Sequence, residues 1–251
     1  MNKLTYIVLF TLLCFALAAH AGILIFYGGD FDPNNPNADG LANENDASVP
    51  QQWASFPVGA ATYQNFIINK PLLITGLFAN DLGDLNPTSG YWEIRTKVHQ
   101  GFQGKLLASG TTVLTHTPTG RSGFGYPEYQ DLVGCGVTTC ATPLNVHLKA
   151  GQYWFSVVPQ DTTGAGRSFN SNSFGLNQVG KDIANQQFFD SPFFNAFFDN
   201  ANNWGVFPTF SSGVYDDPFA PEDEVPEPSS LVLLGSGLVG IAGVVRSKLN
   251  R

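Results

Sequence analysis

Oxygen ligands for a cation are concentrated in one segment, GGDFDPNNPNADGLANENDAS, at residues 28–48. Carboxylate and amide oxygens are the hard donors that calcium prefers. The candidate ligands are Asp30, Asp32, Asn34 and Asp39. The spacing departs from the EF-hand loop, because Asn35 stands at its glycine position and Leu41 at that of its bidentate glutamate. Asn, Asp and Pro also form Asx turns without an ion, so the segment predicts either a calcium site or a loop rich in turns.

Aromatic side chains form the second candidate binding feature. The stretch QQFFDSPFFNAFFDN at residues 186–200 contains three Phe-Phe pairs, whose spacings of five and four fit neither strand alternation nor a long helix. Loops or short turns that plug one end of the domain are therefore predicted, because six exposed phenylalanines would lower solubility. Exposed rings would instead form a patch suited to a matrix or a surface. Trp53 and Trp204 lie in loop-like surroundings and are the candidates for stacking on a sugar.

The sequence does not match the motifs for nucleophilic catalysis or phosphate binding. The stretch GRSGFG at residues 120–125 has Phe124 at the final glycine position of G-x-S-x-G, and GAGRS at residues 164–168 lacks the lysine of a phosphate loop. The histidines beyond the N-terminal segment are isolated from one another in sequence. A non-enzymatic protein is predicted, and a glycan-active enzyme whose two carboxylates meet only in space is the alternative.

Two cysteines lie close together in GCGVTTC, at positions 135 and 140. In an oxidising compartment a local disulfide between Cys135 and Cys140 is predicted, contributing roughly 2 kcal/mol on the loop-entropy estimate. Two free thiols are the alternative. A metal site would need more ligands than these two thiolates.

The N-terminus has the three parts of a secretory signal peptide. Lys3 provides the positive charge, residues 4–17 form an apolar stretch, and Ala19-His20-Ala21 is an A-x-A cleavage site. Residues 1–21 are therefore predicted to be removed, which leaves Gly22 as the first residue of the exported protein.

The C-terminus, VPEPSSLVLLGSGLVGIAGVVRSKLNR, combines an apolar run with a basic tail. Residues 229–245 are uncharged, and at 1.5 Å per residue a helix over them measures about 26 Å, slightly short of the ~30 Å hydrocarbon core of a bilayer. The run predicts a marginal transmembrane helix. The positive-inside rule places the tail at residues 246–251 in the cytoplasm. Its basic residues are Arg246, Lys248 and Arg251.

Pro226, Glu227 and Pro228 precede this helix, at the end of an acidic linker at residues 221–228. The order of Pro-Glu-Pro, Gly-rich apolar helix and basic tail resembles the PEP-CTERM sorting domain of bacterial exopolysaccharide-associated proteins, whose motif is sometimes labelled the C-terminal part of an ice-binding protein. The resemblance implies that a membrane-embedded exosortase recognises Pro-Glu-Pro and cleaves near it. The protein would then be anchored in the inner membrane only in transit, before it reaches the cell surface or the medium.

Charge narrows the possible partners. Between the two ends lie all twenty acidic residues and eight basic ones, a net charge of −12. A nucleic acid is not an expected partner, because a polyanion needs a basic surface. Divalent cations and neutral glycans, including an exopolysaccharide, are compatible with this charge.

Strand signals dominate residues 22–220. In YWEIRTKVH, Trp92 and Ile94 alternate with Glu93 and Arg95, which predicts a half-buried strand, and GQYWFSVVP is apolar on both faces, as in a central strand. The predicted strands cover residues 64–69, 71–79, 91–99, 105–109, 111–117, 128–133, 144–149 and 151–159. Such strands bury their apolar faces by packing sheet on sheet, so a single all-β domain, a jelly-roll-like β-sandwich, is expected.

Together these features predict an exported, non-enzymatic protein of the cell surface or extracellular matrix. A structural or adhesive role in an exopolysaccharide matrix is the first hypothesis, and a carbohydrate-binding module is the second.

Overall fold

A computed structural model describes residues 22–44, 59–138, 140, 142–161, 166–206 and 209–217. The described part is all-β, as predicted, with fourteen strands, one short 3₁₀ helix at Ala201–Trp204 and no α-helix. The strands are β1 Ile23–Tyr27, β2 Gly40–Ala42, β3 Ala61–Ile68, β4 Leu72–Gly83, β5 Ser89–Thr96, β6 Lys105–Gly123, β7 Tyr126–Gly134, β8 Val146–Leu148, β9 Gly151–Gln160, β10 Ser168–Ser173, β11 Phe188–Ser191, β12 Ala196–Asn200, β13 Thr209–Phe210 and β14 Ser212–Asp216.

The strands form one antiparallel arrangement in the order β1-β14-β4-β7-β6-β5-β9-β3-β11-β12. The long strand β6 belongs to both halves of it, because residues 105–113 pair with β5 and residues 114–123 pair with β7. Strand β10 pairs with β2, β4 and β13, and β8 pairs with β4. The sheet therefore changes direction within β6.

One large hydrophobic cluster lies between the two halves. It combines Leu77 and Val133 from the β4–β7 side with Ile94, Phe155 and Phe66 from the β5–β9–β3 side, all of them buried. Apolar faces from both sides thus pack on each other as in a sandwich. The jelly-roll connectivity stays a prediction.

The alternating strand at residues 91–99 is confirmed as β5, with Trp92 and Ile94 buried in this cluster. The expectation that Glu93 and Arg95 face solvent is wrong, because both are buried. They form an ion pair with each other, and the Arg95 guanidinium lies 5.4 Å from the ring centroid of Phe198 in β12. The second face of β5 is covered by a distant part of the chain, which the strand's own alternation does not reveal.

The other predicted strands are present with shifted ends. The apolar stretch in β9 is a central strand between β5 and β3. The two strands predicted at 105–109 and 111–117 are one strand, β6, because Gly110 continues the pairing with β5 instead of ending it.

Among the described residues, no helix is long and apolar enough to cross a membrane. The predicted transmembrane helix at residues 229–245 and the signal peptide at residues 1–21 lie outside the described residues.

Candidate functional site

The hairpin β11–β12 determines where the six phenylalanines lie. Its turn is closed by a hydrogen bond from Asn195 N to Pro192 O, and Asn195 adopts a left-handed φ of 53°, which asparagine tolerates. Of the predicted loops or short turns, a short turn is present at residues 192–195, but both of its flanks are strands and not loops. The turn holds Phe193 and Phe194 at the tip of the hairpin.

Three of the six rings are buried and three are exposed, so the predicted packing holds for half of them. Phe188, Phe189 and Phe198 are buried, and the pleat of β12 sends Phe197 to the opposite face from Phe198. Phe193 and Phe194 at the tip are 62% and 44% exposed. The hairpin thus plugs the domain with one set of rings and presents the other set to solvent.

A hollow of about 260 Å³ lies against the hairpin tip. Phe193, Phe194 and Phe169 of β10 line it together with Glu44 and Arg167. The ring of Phe169 is accessible because its strand partner in β2 is the small residue Ala42. This hollow therefore combines three aromatic rings with one ion pair.

A second hollow of about 180 Å³ adjoins the first at Phe169, which lines both. Phe124 and Tyr126, at the β6–β7 turn, and Asp39 form its other sides. Tyr126 and Phe169 have ring centroids 6.0 Å apart. We call the two hollows the aromatic groove; its rings are Phe124, Tyr126, Phe169, Phe193 and Phe194.

Hydrogen-bonding groups border this groove. Arg167 Nη1 pairs with Glu44 Oε1, and the second oxygen of Glu44 accepts a 2.9 Å hydrogen bond from the Ser168 backbone N–H. The Glu44 carboxylate is almost completely buried, whereas the Arg167 side chain is 53% exposed. The partly exposed Arg167 guanidinium thus lies at the edge of the rings, fixed in place by a buried carboxylate.

The predicted stacking residue Trp204 lies next to the aromatic groove. It ends the 3₁₀ helix, is half-buried, and donates from Nε1 to Asp199 Oδ2 at 3.0 Å. Its ring meets that of Phe194 at 6.0 Å between centroids. Trp204 thus supports the Phe194 ring rather than lining the groove. The other predicted stacking residue, Trp53, lies outside the described residues.

The predicted calcium ligands have other partners. Asp30 accepts hydrogen bonds from Tyr27 and Asn177 and pairs with Arg121 Nη1 at 2.6 Å. Asp32 Oδ1 accepts from the backbone N–H of Asn34 at 2.9 Å, which is an Asx turn.

Asp39 Oδ1 accepts a 2.8 Å hydrogen bond from Gly40 N. Within the ranges that the structure describes, no three His, Cys, Asp or Glu side chains form a group that could hold a metal ion. Asp30, Asp32 and Asp39 therefore do not form such a group. Asp32 and Asp39 accept from neighbouring backbone N–H groups, as in a turn-rich loop, whereas Asp30 contacts side chains of distant segments.

Cys135 and Cys140 form a disulfide, as predicted. The bond closes a short loop after the end of β7 and does not contact the aromatic groove.

Two aspartates inside the sandwich form the other concentration of titratable groups. Asp81 of β4 and Asp131 of β7 are both buried, and Asn43 Nδ2 donates to Asp81 Oδ1 at 3.0 Å. His116 Nδ1 lies 2.6 Å from Asp131 Oδ1, and its ring stacks on Tyr129 at 4.0 Å. Neither carboxyl group lines the aromatic groove.

Burial changes the pKa values of Asp81, Asp131 and His116. It raises the pKa of Asp131 to about 8 and, with the nearby Asp131 charge, raises the pKa of Asp81 well above its usual range. Partial burial lowers the pKa of His116. At neutral pH at least one of the two carboxyl groups therefore keeps its proton.

Sequence reasoning missed Phe124, Tyr126 and Phe169. The sequence contains one signal for Phe124, since this bulky residue stands between Gly123 and Gly125, a pattern typical of a turn. In the structure Phe124 is exposed at the tip of that turn with a left-handed φ of 52°. The sequence contains no such signal for Phe169, because its role depends on which strands flank β10.

Comparison with known proteins identifies the C-terminus. Residues 224–247 match the model of the PEP-CTERM protein-sorting motif, as the resemblance predicted. The predicted sorting residues Pro226, Glu227 and Pro228 fall within this match, although their structure lies outside the described residues, as do Ala19, Ala21, Arg246, Lys248 and Arg251. The motif marks an exported protein that is sorted through the membrane and processed by an exosortase.

No curated protein matches the chain. One similar solved structure contains the cysteine protease and lectin-like domains of Cwp84, a surface layer associated protein of Clostridium difficile. It shares 12% identity with a TM-score of 0.36, over 64% of this chain and 32% of that one. This chain thus spans about a third of that protein's solved length.

Proposed function

We propose that this chain is a glycan-binding protein of the extracellular matrix, which holds an exopolysaccharide in the aromatic groove. The observation that carries the proposal is the set of accessible rings beside the Arg167–Glu44 ion pair. The protein would then adhere to the matrix by binding its carbohydrate, so that the adhesive role and the glycan-binding role are one activity.

Aromatic rings bordered by a few fixed polar groups suit a sugar. The apolar C–H face of a pyranose packs on an aromatic face, and its hydroxyl groups need donors and acceptors at the rim. Phe169, Phe193 and Phe194 supply the faces, while Arg167 and Asp39 supply the rim.

Charge favours a neutral glycan. Eight basic residues stand against twenty acidic ones between the predicted signal peptide and the sorting helix, so a polyanionic polysaccharide would be repelled over most of the surface. In the groove itself the Arg167 charge is already balanced by Glu44. A neutral polysaccharide meets neither obstacle.

Export precedes this activity. The signal peptide is cleaved before Gly22, exosortase cuts near Pro226-Glu227-Pro228, and the helix at residues 229–245 is a temporary anchor. A mass measurement on protein released from the producing cells tests these steps. The proposed product lacks residues 1–21 and 231–251, whereas a released species that keeps the apolar run would show that the helix is a lasting anchor.

A glycan array probed with the purified full chain, in calcium and in a chelator, tests the binding activity. Saturable binding to neutral glycans is expected in both conditions, because the groove uses rings and an ion pair and no cation. Absence of binding to any glycan would overturn the proposal and leave a structural role without a carbohydrate ligand.

A further inference from the structure

An open strand edge lies on β6, away from the aromatic groove. Residues 105–113 pair with β5 on one side, and none of the described residues pairs with their other side. Among the described residues, the backbone N–H and C=O groups along that side therefore have no strand partner, although Val113 O accepts a 3.3 Å hydrogen bond from the Thr112 hydroxyl.

The two ends of the strand order are partly covered, in contrast to this part of β6. At the β1 end, Tyr27 exchanges two backbone hydrogen bonds with Val179. At the β12 end, Phe198 O accepts from Gly101 N, and Asn200 N donates to the side chain of Gln100. Within the described part of the chain, the two end strands thus have partial cover, whereas the outer side of residues 108–113 in β6 has none.

Features that prevent a strand edge from pairing flank the regular part of this edge, residues 108–113. Lys105 and a register shift at Leu107 precede it, and Pro118 follows it, in the half of β6 that pairs with β7. Residues 108–113 between them contain no charge, no proline and no register shift. Ser109, Thr111 and Val113 are exposed and alternate with less exposed neighbours, as in a regular strand.

We infer that two copies of this chain associate through this edge, β6 against β6, in an antiparallel pair about a two-fold axis. Identical antiparallel strands present matching donors and acceptors to each other, so the edge is complementary to itself. The inference is independent of the glycan-binding proposal.

The distribution of charged residues favours this edge as the place where a second copy of the chain binds. The exported chain is strongly acidic, so two copies repel each other over most of their surfaces. Residues 106–115 contain no acidic or basic side chain, so this edge is where two copies meet with the least repulsion.

The pleat of the sheet fixes the centre of the pair. Directly opposed residues of neighbouring strands point to the same face, so the two-fold axis must pass midway between the two copies of one residue. Thr111 is the middle of the three exposed residues. Thr111 therefore faces Thr111 of the second copy, and Ser109 faces Val113.

A Thr111→Cys variant tests this arrangement in the full chain. Opposed Cα atoms of an antiparallel pair lie about 4.5–5.5 Å apart, within the range of a disulfide. Under an added oxidant the variant should form a covalent dimer on a non-reducing gel. Two controls should form no covalent dimer. Wild type controls for Cys14, and Ala150→Cys places a cysteine at the exposed β8–β9 turn.

A charge variant tests the same contact by sedimentation. Thr111→Lys places two lysines opposite each other and should weaken dimerisation about tenfold or more. Val137→Lys, at another exposed position in the Cys135–Cys140 loop, should leave it unchanged. Glycan binding should be the same in both variants, which separates this inference from the proposed function.

A chain that sediments as a monomer at every concentration would overturn the inference. So would a dimer that Thr111→Lys does not weaken, or one in which Thr111→Cys forms no more disulfide than Ala150→Cys.

Discussion

The ring of Phe193 stands edge-on to the ring of Phe194, with 4.8 Å between centroids and 86° between planes. Phe194 in turn meets Trp204 and the buried ring of Phe189. The exposed tip of the hairpin is therefore fixed from below by packed aromatic side chains. A fixed ring loses little conformational entropy on binding, which suits a ligand that offers only weak individual contacts.

Removal of either tip ring should weaken glycan binding. Phe193→Ala and Phe194→Ala are each expected to raise the Kd for a bound glycan about tenfold, equivalent to about 1.4 kcal/mol, because a stacking face is lost. Titration calorimetry measures the change. Phe197→Ala is the matched control, since Phe197 is 52% exposed in the same hairpin but lines neither hollow. An equal loss in the control would show that the effect lies in the fold.

A single substitution in the buried pair of Glu93 and Arg95 should destabilise the domain strongly. Arg95→Met leaves the Glu93 carboxylate buried with neutral partners, the hydroxyls of Tyr91 and Tyr63, and should lower the free energy of unfolding by about 3 kcal/mol or more. Urea unfolding measures this value. The Glu93→Gln/Arg95→Met double variant should be more stable than Arg95→Met alone. If the double variant is the less stable of the two, the assignment of a buried charge pair is wrong.

Stability should fall as the pH rises. The unfolded chain releases the Asp131 proton near pH 4, whereas burial raises the folded pKa to about 8. The folded state thus holds more protons in this window, and the free energy of unfolding should drop by more than about 1 kcal/mol between about pH 5 and pH 8. Urea unfolding across this range measures the slope.

Asp131→Asn should reduce that slope, because an amide has no proton to release there, whereas Asp81 and Asp190, whose pKa burial also raises, retain part of it. Asp199→Asn is the control. Burial tends to raise the pKa of Asp199, but hydrogen bonds from Gln100, Asn203 and Trp204 together outweigh it and lower the pKa, so this group does not titrate in the window. A wild-type protein that is more stable at pH 8 than at pH 5 would contradict the prediction.

Loss of the disulfide should have a modest effect, since the loop that it closes is short. The Cys135→Ala/Cys140→Ala double variant is expected to unfold with a free energy about 2 kcal/mol lower than wild type. Thermal unfolding with and without a reductant provides the comparison. The reductant should lower the Tm of wild type and leave that of the double variant unchanged.

Features that depend on neighbouring residues could be predicted from the sequence. The alternation around Trp92 and Ile94, the apolar β9 strand and the Cys135–Cys140 pair each lie within a few residues of each other, so a local pattern determines them. The sorting motif at residues 224–247 is equally local.

Features that depend on distant segments could not be predicted. Arg95 is buried because Phe198, about a hundred residues later, covers it. Asp81 and Asp131 influence each other only because β4 pairs with β7. The aromatic groove likewise needs β2, β10 and the β11–β12 hairpin side by side, and the strand patterns do not specify that order.

The proposed function requires the aromatic groove to hold the protein in an exopolysaccharide matrix. Its most direct test is co-sedimentation of the purified chain with exopolysaccharide from the cells that produce it, for wild type, the Phe193→Ala/Phe194→Ala double variant and Phe197→Ala. Wild type and Phe197→Ala should co-sediment saturably with the exopolysaccharide, and the double variant should not. Equal co-sedimentation of all three proteins would contradict the proposed function.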